Sequence, residues 1–548
     1  MPANTDQSER TGGDVVVDAL RAQGIDTIFA LPGIQLDGLF DALAKAGDIR
    51  VVHTRHEQAA GYMADGYSRA TGRVGVCVVV PGPGVLNVGA ALSTAHATGS
   101  QVLCIAGHLF GGDGAIGSGA LHEIPNQSAV LEGTIGWTRR VRSVDGIGPA
   151  FTDAVQRLHA SPHRPAAIEI GPEVLVAPTT ATIDRIDAAA PEVALDAAAI
   201  EDAVAQLADR RRPIIVAGGG TIEAGPELTD LANALGAPIV LTASGKGAVD
   251  ATADRVLPQV AVYQLLEDCD ALIVVGSRFT TTDGPPPVDA GTKVIRIDSN
   301  PDRLTDWATV NIRGDAADSC RALATGLSEV RPVDEERDQL YLNRVSEIRA
   351  SIWSGLARRF PDTWSYSQAL REAMDDDAIL VDEMTQVGYM ARHAYPARLP
   401  RTYIGSGYQG TLGFGYPTSL GVKVGRPDRT VVSISGDGGF LFNLGELATA
   451  VHHHIAVVAV VFTDNAYGNV KGIQRRTYGR EIASTLTNPD LVAVAAGFGI
   501  RGWRTTGGAP ELVEHLREAI ALDEPALIEV PIDDQPDLIS VLYGRRPL

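Results

Sequence analysis

The sequence has few of the features that mark secreted, membrane-spanning or nucleic-acid-binding proteins. Its 548 residues include four cysteines without pair spacing, at Cys77, Cys104, Cys269 and Cys320, which predicts buried, reduced thiols in a cytoplasmic protein rather than disulfides or a metal site. Its apolar runs fall far short of the roughly 20 residues that span a bilayer. The polar first dozen residues predict no secretory signal.

Basic residues are scarce relative to acidic ones. The chain has 46 Lys and Arg against 67 Asp and Glu, for a formal charge of −21. Phosphate backbones and anionic membranes bind to Lys- and Arg-rich surfaces. Neither nucleic acid nor a membrane is therefore expected as a partner.

The composition is otherwise that of a globular protein, with 45% apolar and 21% charged residues, and the chain is too long for one core. Strand-like and helix-like segments alternate, which predicts parallel sheets covered by helices. The expected fold class is α/β, with three doubly wound parallel-sheet domains. The expected boundaries are 1–175 for the first domain (1–12 disordered), 176–198 for a linker, 199–330 for a central domain, 331–359 for a helical linker and 360–548 for the third domain.

Hydrophobic periodicity places the elements inside these domains. In the first domain it predicts helices at 15–23, 36–46, 57–71 and 85–98, and strands at 27–31, 50–54, 74–80 and 101–107. In the central domain it predicts strands at 213–217, 238–241, 271–275 and 293–298. The glycines at 218–220 predict a tight turn, because they lack the full spacing of a dinucleotide site.

The most informative stretch is G-D-G-G at 436–439, followed after a predicted helix at 444–454 by T-D-N-A-Y-G at 463–468. Each motif follows an apolar run that predicts a strand, and the carboxyl ends of parallel strands meet at one sheet edge, where ligands bind. Asp437 and Asp464 would meet there and suit Mg²⁺, which prefers oxygen ligands. The ordinary alternative is two aspartates that cap helices, and the joint pattern favours the metal site.

This segment resembles the thiamin-diphosphate motif of the acetolactate synthase and pyruvate decarboxylase superfamily. The resemblance implies that Asp437, Asp464 and the carbonyl of Ala466 ligate Mg²⁺. Asp464 stands where the family has its second Asn, and Leu412 replaces the usual Met beneath the cofactor. The family layout implies pyrimidine-binding, central and diphosphate-binding domains. The remaining implied cofactor contacts are Pro32, Gly82, Asn87, Thr385, Gln386, Gly410, Leu412, Gly436, Gly438, Gly439, Tyr467 and Gly468.

A second motif, R-H-E-Q-A-A at 55–60, resembles the segment that activates the cofactor in this family. The resemblance implies that Glu57 hydrogen-bonds the aminopyrimidine ring, and a carboxyl in an apolar cleft can share a proton there. The alternative is a first-turn Glu that complements the helix dipole. The turn G-P-G-x-x-N, which runs from Pro81 to Asn87, also matches the family. In the family the two cofactor ends are bound by different subunits, which implies a homo-oligomer, at least a dimer, with a tetramer expected.

Other positions depart from acetolactate synthases. Leu121-His122-Glu123 stands for their F-Q-E, and Ile473 for a substrate-contacting Trp. The central domain keeps only part of the FAD pattern, which argues against FAD. His122 is predicted either as an acid-base group or as a surface or capping residue. Candidates for the substrate mouth are Asn126, Gln127, Asn469, Lys471, Gln474, Arg475 and Arg476.

The resemblance implies an enzyme that decarboxylates a 2-oxo acid, carries out carboligation, or does both. Within the same class, the alternative is a C–C lyase or hydrolase acting on a diketone or acyloin. The alternatives outside it are a catalytically silent cofactor-binding relative and an NAD or FAD oxidoreductase built on the central domain. His452, His453 and His454 are predicted to form a solvated helix end, because adjacent helical residues point in different directions.

Asp464 gives the first testable prediction. Asp464→Asn is expected to keep activity or improve Mg²⁺ use, because it restores the family's ligand and removes a negative charge opposite the diphosphate. Asp464→Ala is expected to lose the cofactor, measured by thiamin diphosphate titration and a turnover assay. A fully active Asp464→Ala enzyme would refute the ligand assignment.

Overall fold

The architecture comes from a computed structural model, which describes residues 10–186, 193–279, 286–331, 334–533 and 538. These residues contain three six-stranded sheets in which every pairing is parallel, and the predicted fold class is confirmed. No helix among them is long and apolar enough to cross a membrane.

The first sheet has the order β2-β1-β3-β4-β6-β5. Its strands are β1 (Thr27–Ala30), β2 (Arg50–His53), β3 (Gly75–Val79), β4 (Val102–Gly107), β5 (Thr138–Val141) and β6 (Ala166–Ile170). Its helices are α1 (Gly12–Ala22), α2 (Asp37–Ala46), α3 (Glu57–Thr71), α4 (Pro83–Thr98), α5 (Gln127–Ile135), α6 (Ile147–His159) and α7 (Pro172–Val176).

The second sheet has the order β12-β11-β10-β7-β8-β9. Its strands are β7 (Pro213–Ala217), β8 (Ile239–Leu241), β9 (Val256–Pro258), β10 (Ala271–Val275), β11 (Lys293–Asp298) and β12 (Val310–Arg313). Its helices are α8 (Ala197–Leu207), α9 (Gly225–Leu235), α10 (Val262–Leu266) and α11 (Ala316–Val330). A short 3-10 turn at Gly219–Thr221 follows β7, in line with the predicted tight turn.

The third sheet has the order β14-β13-β15-β16-β18-β17, the same topology as the first. Its strands are β13 (Ile379–Asp382), β14 (Tyr403–Gly405), β15 (Val431–Gly436), β16 (Val458–Thr463), β17 (Arg501–Arg504) and β18 (Ala526–Pro531). The helices of this region are α12 (Glu335–Arg359), α13 (Pro361–Ala373), α14 (Gln386–Ala394), α15 (Gly415–Gly425), α16 (Asp437–Phe440), α17 (Leu447–His453), α18 (Gly468–Tyr478), α19 (Leu491–Gly497) and α20 (Ala509–Ala521).

The chain forms two compact units. The first unit combines the described residues of Met1–Pro191 with Tyr408–Pro427 and Phe442–Ala456, and the second contains the remainder. Helix α15 therefore lies with the first sheet, where small residues let it approach α3. A Cβ at Gly66 would lie 2.2 Å from the carbonyl oxygen of Thr418, and one at Gly421 would lie 1.9 Å from that of Met63. Glycine is needed at both contacts, because a larger residue would push the helices apart.

Two sequence expectations need correction. Residues 1–9 of the predicted disordered leader lie outside the described residues, but Thr11 caps α1, which begins at Gly12. The helix predicted at 444–454 starts late, because residues up to 446 belong to the short 3-10 segment Leu441–Glu446 and α17 begins only at Leu447. Asn443, just before the predicted helix, has non-helical angles (φ −121°, ψ 29°) inside that segment. The side chain of Asn443 donates to the carbonyl of Gly413, 2.7 Å away, a contact that local periodicity does not reveal.

Several predicted elements have the same bounds in the structure, among them α3, β7, β10 and β11. All four cysteines are free and buried, as predicted. The edge strands β5 and β17 are not predicted from the sequence. Their T-R-R-V and R-G-W-R segments are partly exposed and carry basic residues, so they lack the apolar runs of the central strands.

The second unit buries one lysine, Lys246, which is 5% exposed. Its ammonium group donates to the carbonyl of Tyr395 at 2.6 Å and lies 5.0 Å from the ring centroid of Tyr403. Burial lowers the pKa of Lys246 to about 7. Lysine in the unfolded chain titrates at about 10.4, so between these values the unfolded state binds more protons and stability rises with pH.

Lys246→Met is therefore expected to flatten the pH dependence of stability. The thermal midpoint of the wild type should rise between pH 7 and pH 9, because the free-energy cost of keeping the buried lysine uncharged falls over this range. The variant should lack this contribution. Differential scanning fluorimetry at both pH values measures the difference. Lys45→Met is the matched control, because Lys45 lies on the exposed face of α2 with its side chain 58% exposed. An unchanged pH slope in Lys246→Met would contradict the assignment.

Candidate active site

Asp437 and Asp464 follow two neighbouring parallel strands, β15 and β16, which are paired with Gly436 opposite Phe462. The strand order of the third sheet reverses between β13 and β15, and ligands of open α/β sheets bind at the carboxyl ends of the strands beside such a reversal. Thr385 and Gln386, which begin α14 just after β13, stand at the same edge. The structure thus brings the predicted diphosphate-end residues of β13, β15 and β16 to one edge.

Asp437 is 2% exposed and its carboxylate is held from several sides. Its Oδ1 accepts from the backbone N–H of Gly438 at 2.8 Å. Its Oδ2 accepts from the backbone N–H of Asn465 at 2.8 Å and from the side chain of Asn488 at 2.5 Å. Burial raises the pKa of Asp437, although these hydrogen bonds oppose the shift. A nearby cation would stabilise the ionised form of a carboxylate that is shielded from water in this way.

The turn after β16 is shaped around Asp464. Its Oδ1 accepts from the backbone N–H of Ala466 at 3.1 Å, and a Cβ at Gly468 would lie 2.3 Å from its Oδ2. Across the edge, a Cβ at Gly438 would lie 2.7 Å from the ring of Tyr467. Glycine at 438 therefore lets the turn after β15 approach Tyr467, and glycine at 468 leaves room for the Asp464 carboxylate within its own turn. We call these two turns the cradle.

Thr385 and Gln386 add further polar groups to this edge. Thr385 is 9% exposed, and its Oγ1 lies 3.8 Å from the position of a Cβ on Gly436. The Oε1 of Gln386 is buried and has no hydrogen-bond partner among the described residues. A buried polar atom without a partner costs stability unless a ligand or water satisfies it. A hydrogen-bond donor on a ligand or a water is therefore favoured at this atom.

Asn465 and Asn488 are site residues that the sequence reasoning missed. The backbone of Asn465 has a left-handed φ of 53°, and its carbonyl accepts from the N–H of Leu486 at 2.7 Å. This contact anchors the loop that carries Asn488, whose side chain lies 3.1 Å from Oδ1 of Asn465. The D-N pair after a strand could have indicated Asn465, whereas the position of Asn488 depends on loop folding.

The second group of predicted residues lies in the first unit. Glu57 begins α3 and is 6% exposed, and its Oε2 accepts from the side chain of Asn87 at 2.9 Å. Its Oε1 lies 3.6 Å from the position of a Cβ on Gly84. The two predicted residues Glu57 and Asn87 are therefore in direct contact, and Asn87 leaves Oε1 of the carboxylate for another partner.

Gly82 and His122 lie together beside the turn after β3. Gly82 has φ 58°, and a Cβ there would lie 2.1 Å from the carbonyl oxygen of His122. His122 itself has a left-handed φ of 71°, and its buried Nδ1 has no hydrogen-bond partner among the described residues. Strained non-glycine backbone is concentrated at functional sites. Pro32 is exposed after β1, which with β3 flanks the strand reversal of this sheet.

Gln127, a candidate for the substrate mouth, has a structural role instead. It is 7% exposed, its Oε1 accepts from the backbone N–H of Gly82, and its Nε2 donates to Gly107 and Glu169, each at 2.9 Å. Asn126 caps α5 through its side chain. The other candidates for the mouth lie on α18, which has no buried residue and starts at Gly468.

The predicted contacts Gly410 and Leu412 lie in a segment that packs on α3. Between them, the hydroxyl of Thr411 is 2.5 Å from that of Tyr62 on α3 and 3.2 Å from that of Thr94 on α4. The structure therefore places this segment in the same unit as Glu57.

Glu446 holds the segment that leads into α3. It is 1% exposed and accepts from the backbone N–H groups of Arg55, at 3.1 Å, and His56, at 3.0 Å. Burial raises its pKa, against the hydrogen bond from Thr449. Glu446 therefore fixes the backbone two residues before Glu57.

Comparisons with known proteins agree with the arrangement of the domains. Models described as "Thiamine pyrophosphate enzyme" match in order along the chain: the N-terminal TPP binding domain at residues 10–130, the central domain at 200–323 and the C-terminal TPP binding domain at 383–530. The two regions described above lie in the N-terminal and C-terminal matches, apart from a few flanking residues.

Similarity to individual proteins extends over nearly the whole chain. The chain is 31% identical over 534 residues to "Probable 2-ketoarginine decarboxylase AruI" of Pseudomonas aeruginosa, covering 96% of this chain and 94% of that protein. It is 30% identical over 566 residues to "Probable acetolactate synthase large subunit" of Methanocaldococcus jannaschii, covering 98% and 94%. It is 28% identical over 540 residues to "Acetolactate synthase isozyme 1 large subunit" of Escherichia coli, covering 95% and 94%. With three domain models matched in order and this coverage of its relatives, the chain belongs to the thiamine pyrophosphate enzyme family.

Proposed function

We propose that this protein is a thiamin-diphosphate- and Mg²⁺-dependent enzyme that decarboxylates a 2-oxo acid and passes the remaining acyl group to a carbonyl acceptor or releases it as an aldehyde. The observation that carries the proposal is the buried carboxylate of Asp437 at the strand reversal, held beside the turn that contains Asp464. The names of the relatives, a 2-ketoarginine decarboxylase and acetolactate synthases, support this reaction class.

The cradle around Asp437 fits a cation-bound diphosphate. Asp437, Asp464 and the carbonyl of Ala466 would hold Mg²⁺, which takes one or two carboxylates and completes its shell with water and phosphate oxygens. The hydroxyl of Thr385 and the side-chain NH₂ group of Gln386, at the start of α14, would donate to phosphate oxygens. The N-terminus of α18, which begins at Gly468, adds backbone N–H groups that favour an anion.

Glu57 is the proposed acid-base residue. Bound thiamin diphosphate supplies the carbon acid and the electron sink on which a 2-oxo acid loses CO₂. Glu57 would share a proton with the aminopyrimidine ring through its carboxyl group. Asn87 orients the carboxyl through Oε2, and Glu446 fixes the backbone ahead of it. Exclusion of water from this buried position strengthens the proton-sharing hydrogen bond.

His122 is the proposed second acid-base group, at the substrate. Its unpartnered Nδ1 and strained backbone support this role over that of a capping residue. The substrate carboxylate is proposed to meet the basic side chains of α18, which include Lys471, Arg475 and Arg476, because such groups pair strongly with carboxylates.

We also propose that the protein is a homo-oligomer, at least a dimer, with a tetramer expected. The reason is that in the resembled superfamily the two ends of the cofactor are bound by different subunits. It also includes a cytoplasmic location. The four free, buried cysteines fit a reducing compartment.

Turnover identifies the reaction. Purified protein with thiamin diphosphate and Mg²⁺ is incubated with a panel of 2-oxo acids, including pyruvate and 2-ketoarginine, with and without acceptor aldehydes, and in parallel with a 1,2-diketone. Release of CO₂ from one 2-oxo acid supports the proposal. Cleavage of the diketone without CO₂ release from any 2-oxo acid would contradict it and favour a C–C hydrolase.

Glu57→Gln gives the test of the catalytic assignment. Turnover is expected to fall by at least about a hundredfold, since general acid-base catalysis contributes about 10²–10⁴-fold, whereas thiamin diphosphate affinity should change little because the diphosphate end is intact. Turnover is followed by CO₂ release and binding by circular dichroism titration. Glu132→Gln, an exposed glutamate on α5, is the control. Wild-type turnover in Glu57→Gln would rule out the role.

A further inference from the structure

Three histidines from distant parts of the sequence meet in the first unit. His53 ends β2, and His452 and His453 lie in the last turn of α17. Their ring centroids are 4.6 Å apart for His53 and His452, 4.7 Å for His53 and His453, and 4.7 Å for His452 and His453. We call these three residues the histidine cluster.

The cluster has the geometry of a ligand set. One ring nitrogen of each histidine lies within 4.8 Å of those of the other two, and within the part of the chain that the structure describes no other group of three His, Cys, Asp or Glu side chains comes together in this way. The sequence predicts a solvated helix end here, and for His454, which is exposed in the left-handed region, this agrees with the structure. The prediction is wrong for His453, which is half-buried. Local sequence does not show that His53, far away in the chain, packs against it.

The backbone fixes the ring of His453. Its Nε2 lies 3.1 Å from the backbone nitrogen of His53 and 3.3 Å from the carbonyl oxygen of the same residue. Arg50 donates to the carbonyl of His453 at 3.3 Å. A backbone contact at one ring nitrogen orients a histidine and leaves its other nitrogen for a metal, as is common around metal sites.

Two basic side chains lie beside the histidine cluster. Arg55 is near His53, and Arg50 is near His453. These guanidinium groups weaken the binding of any cation, so the ion must form strong bonds to imidazole.

We propose that His53, His452 and His453 bind one borderline transition-metal ion per chain, with Zn²⁺ as the first choice and water in the fourth position. Imidazole nitrogen suits Zn²⁺, Ni²⁺ and Cu²⁺, whereas Mg²⁺ prefers oxygen ligands. Zn–N bonds of about 2.0–2.1 Å need ring nitrogens roughly 3.4 Å apart, so the three rings, whose nitrogens now lie within 4.8 Å of one another, would move closer together on binding. The histidine cluster contains no carboxylate, so it would not compete for the Mg²⁺ assigned to Asp437.

Such an ion would act as a clamp on α3. His53 lies four residues before Glu57, and α17 directly follows Glu446, which holds Arg55 and His56. Binding to the folded state alone stabilises it by mass action. A bound ion would therefore stabilise the connection between β2 and α17 and, with it, the start of α3.

The test uses tag-free protein saturated with thiamin diphosphate and Mg²⁺, so that the diphosphate site is filled. Isothermal titration with ZnCl₂ is expected to show one equivalent per chain and a rise in the thermal midpoint, and Co²⁺ is expected to give the visible absorption of a tetrahedral site. His452→Gln and His53→Gln should each weaken Zn²⁺ binding by at least about tenfold, the loss typical even of residues that only support ligands. His452 is exposed, so its substitution leaves the core intact.

The matched control is His454→Asn, which alters the neighbouring exposed histidine and keeps a residue type that tolerates its φ of 53°. This variant should bind Zn²⁺ as the wild type does. The proposal is overturned if the wild type shows no stoichiometric binding, if His452→Gln binds as tightly as the wild type, or if His454→Asn loses binding to the same extent.

Discussion

The parallel pairing of β15 with β16 is the constraint on which the diphosphate end of the site depends. Because these strands run side by side, Asp437 and the turn at 464–468 emerge at the same edge, where Oδ2 of Asp437 accepts the backbone N–H of Asn465. A buried carboxylate is costly unless hydrogen bonds and a cation compensate it. The glycine at 438 lets the turn after β15 approach the ring of Tyr467, and the glycine at 468 leaves room for the carboxylate of Asp464.

Helix α3 has the corresponding role in the first unit. Its small residues allow α15 to pack at backbone distance, and its first residue is Glu57. Three supports converge on its N-terminal end: Asn87 on the Glu57 carboxylate, Glu446 on the preceding backbone and, through Tyr62, the segment around Thr411. The position of the proposed acid-base group is therefore set by packing and hydrogen bonds along the whole helix rather than by a flexible loop.

The sequence predicts much of this from local patterns. Apolar runs mark the central strands, and an Asp just after two of them is enough to place Asp437 and Asp464 at one edge, because parallel strands share their carboxyl ends. Contacts between segments that are far apart in the sequence leave no such local pattern. Asn488 reaches Asp437 through a loop, Glu446 reaches the backbone of Arg55 across 391 positions, and His453 reaches His53 across 400. Each of these contacts depends on how whole helices and strands pack against one another. The hydrophobic periodicity of the sequence does not carry that information.

The most direct test of the central claim is the affinity for thiamin diphosphate, measured by calorimetry in excess Mg²⁺ and again after chelation, for the wild type and for Asp437→Asn. The account predicts tight binding only for the wild type with Mg²⁺, and a loss of at least about tenfold when either the ion or the carboxylate is removed. Equal affinity with and without Mg²⁺, or in Asp437→Asn, would contradict it.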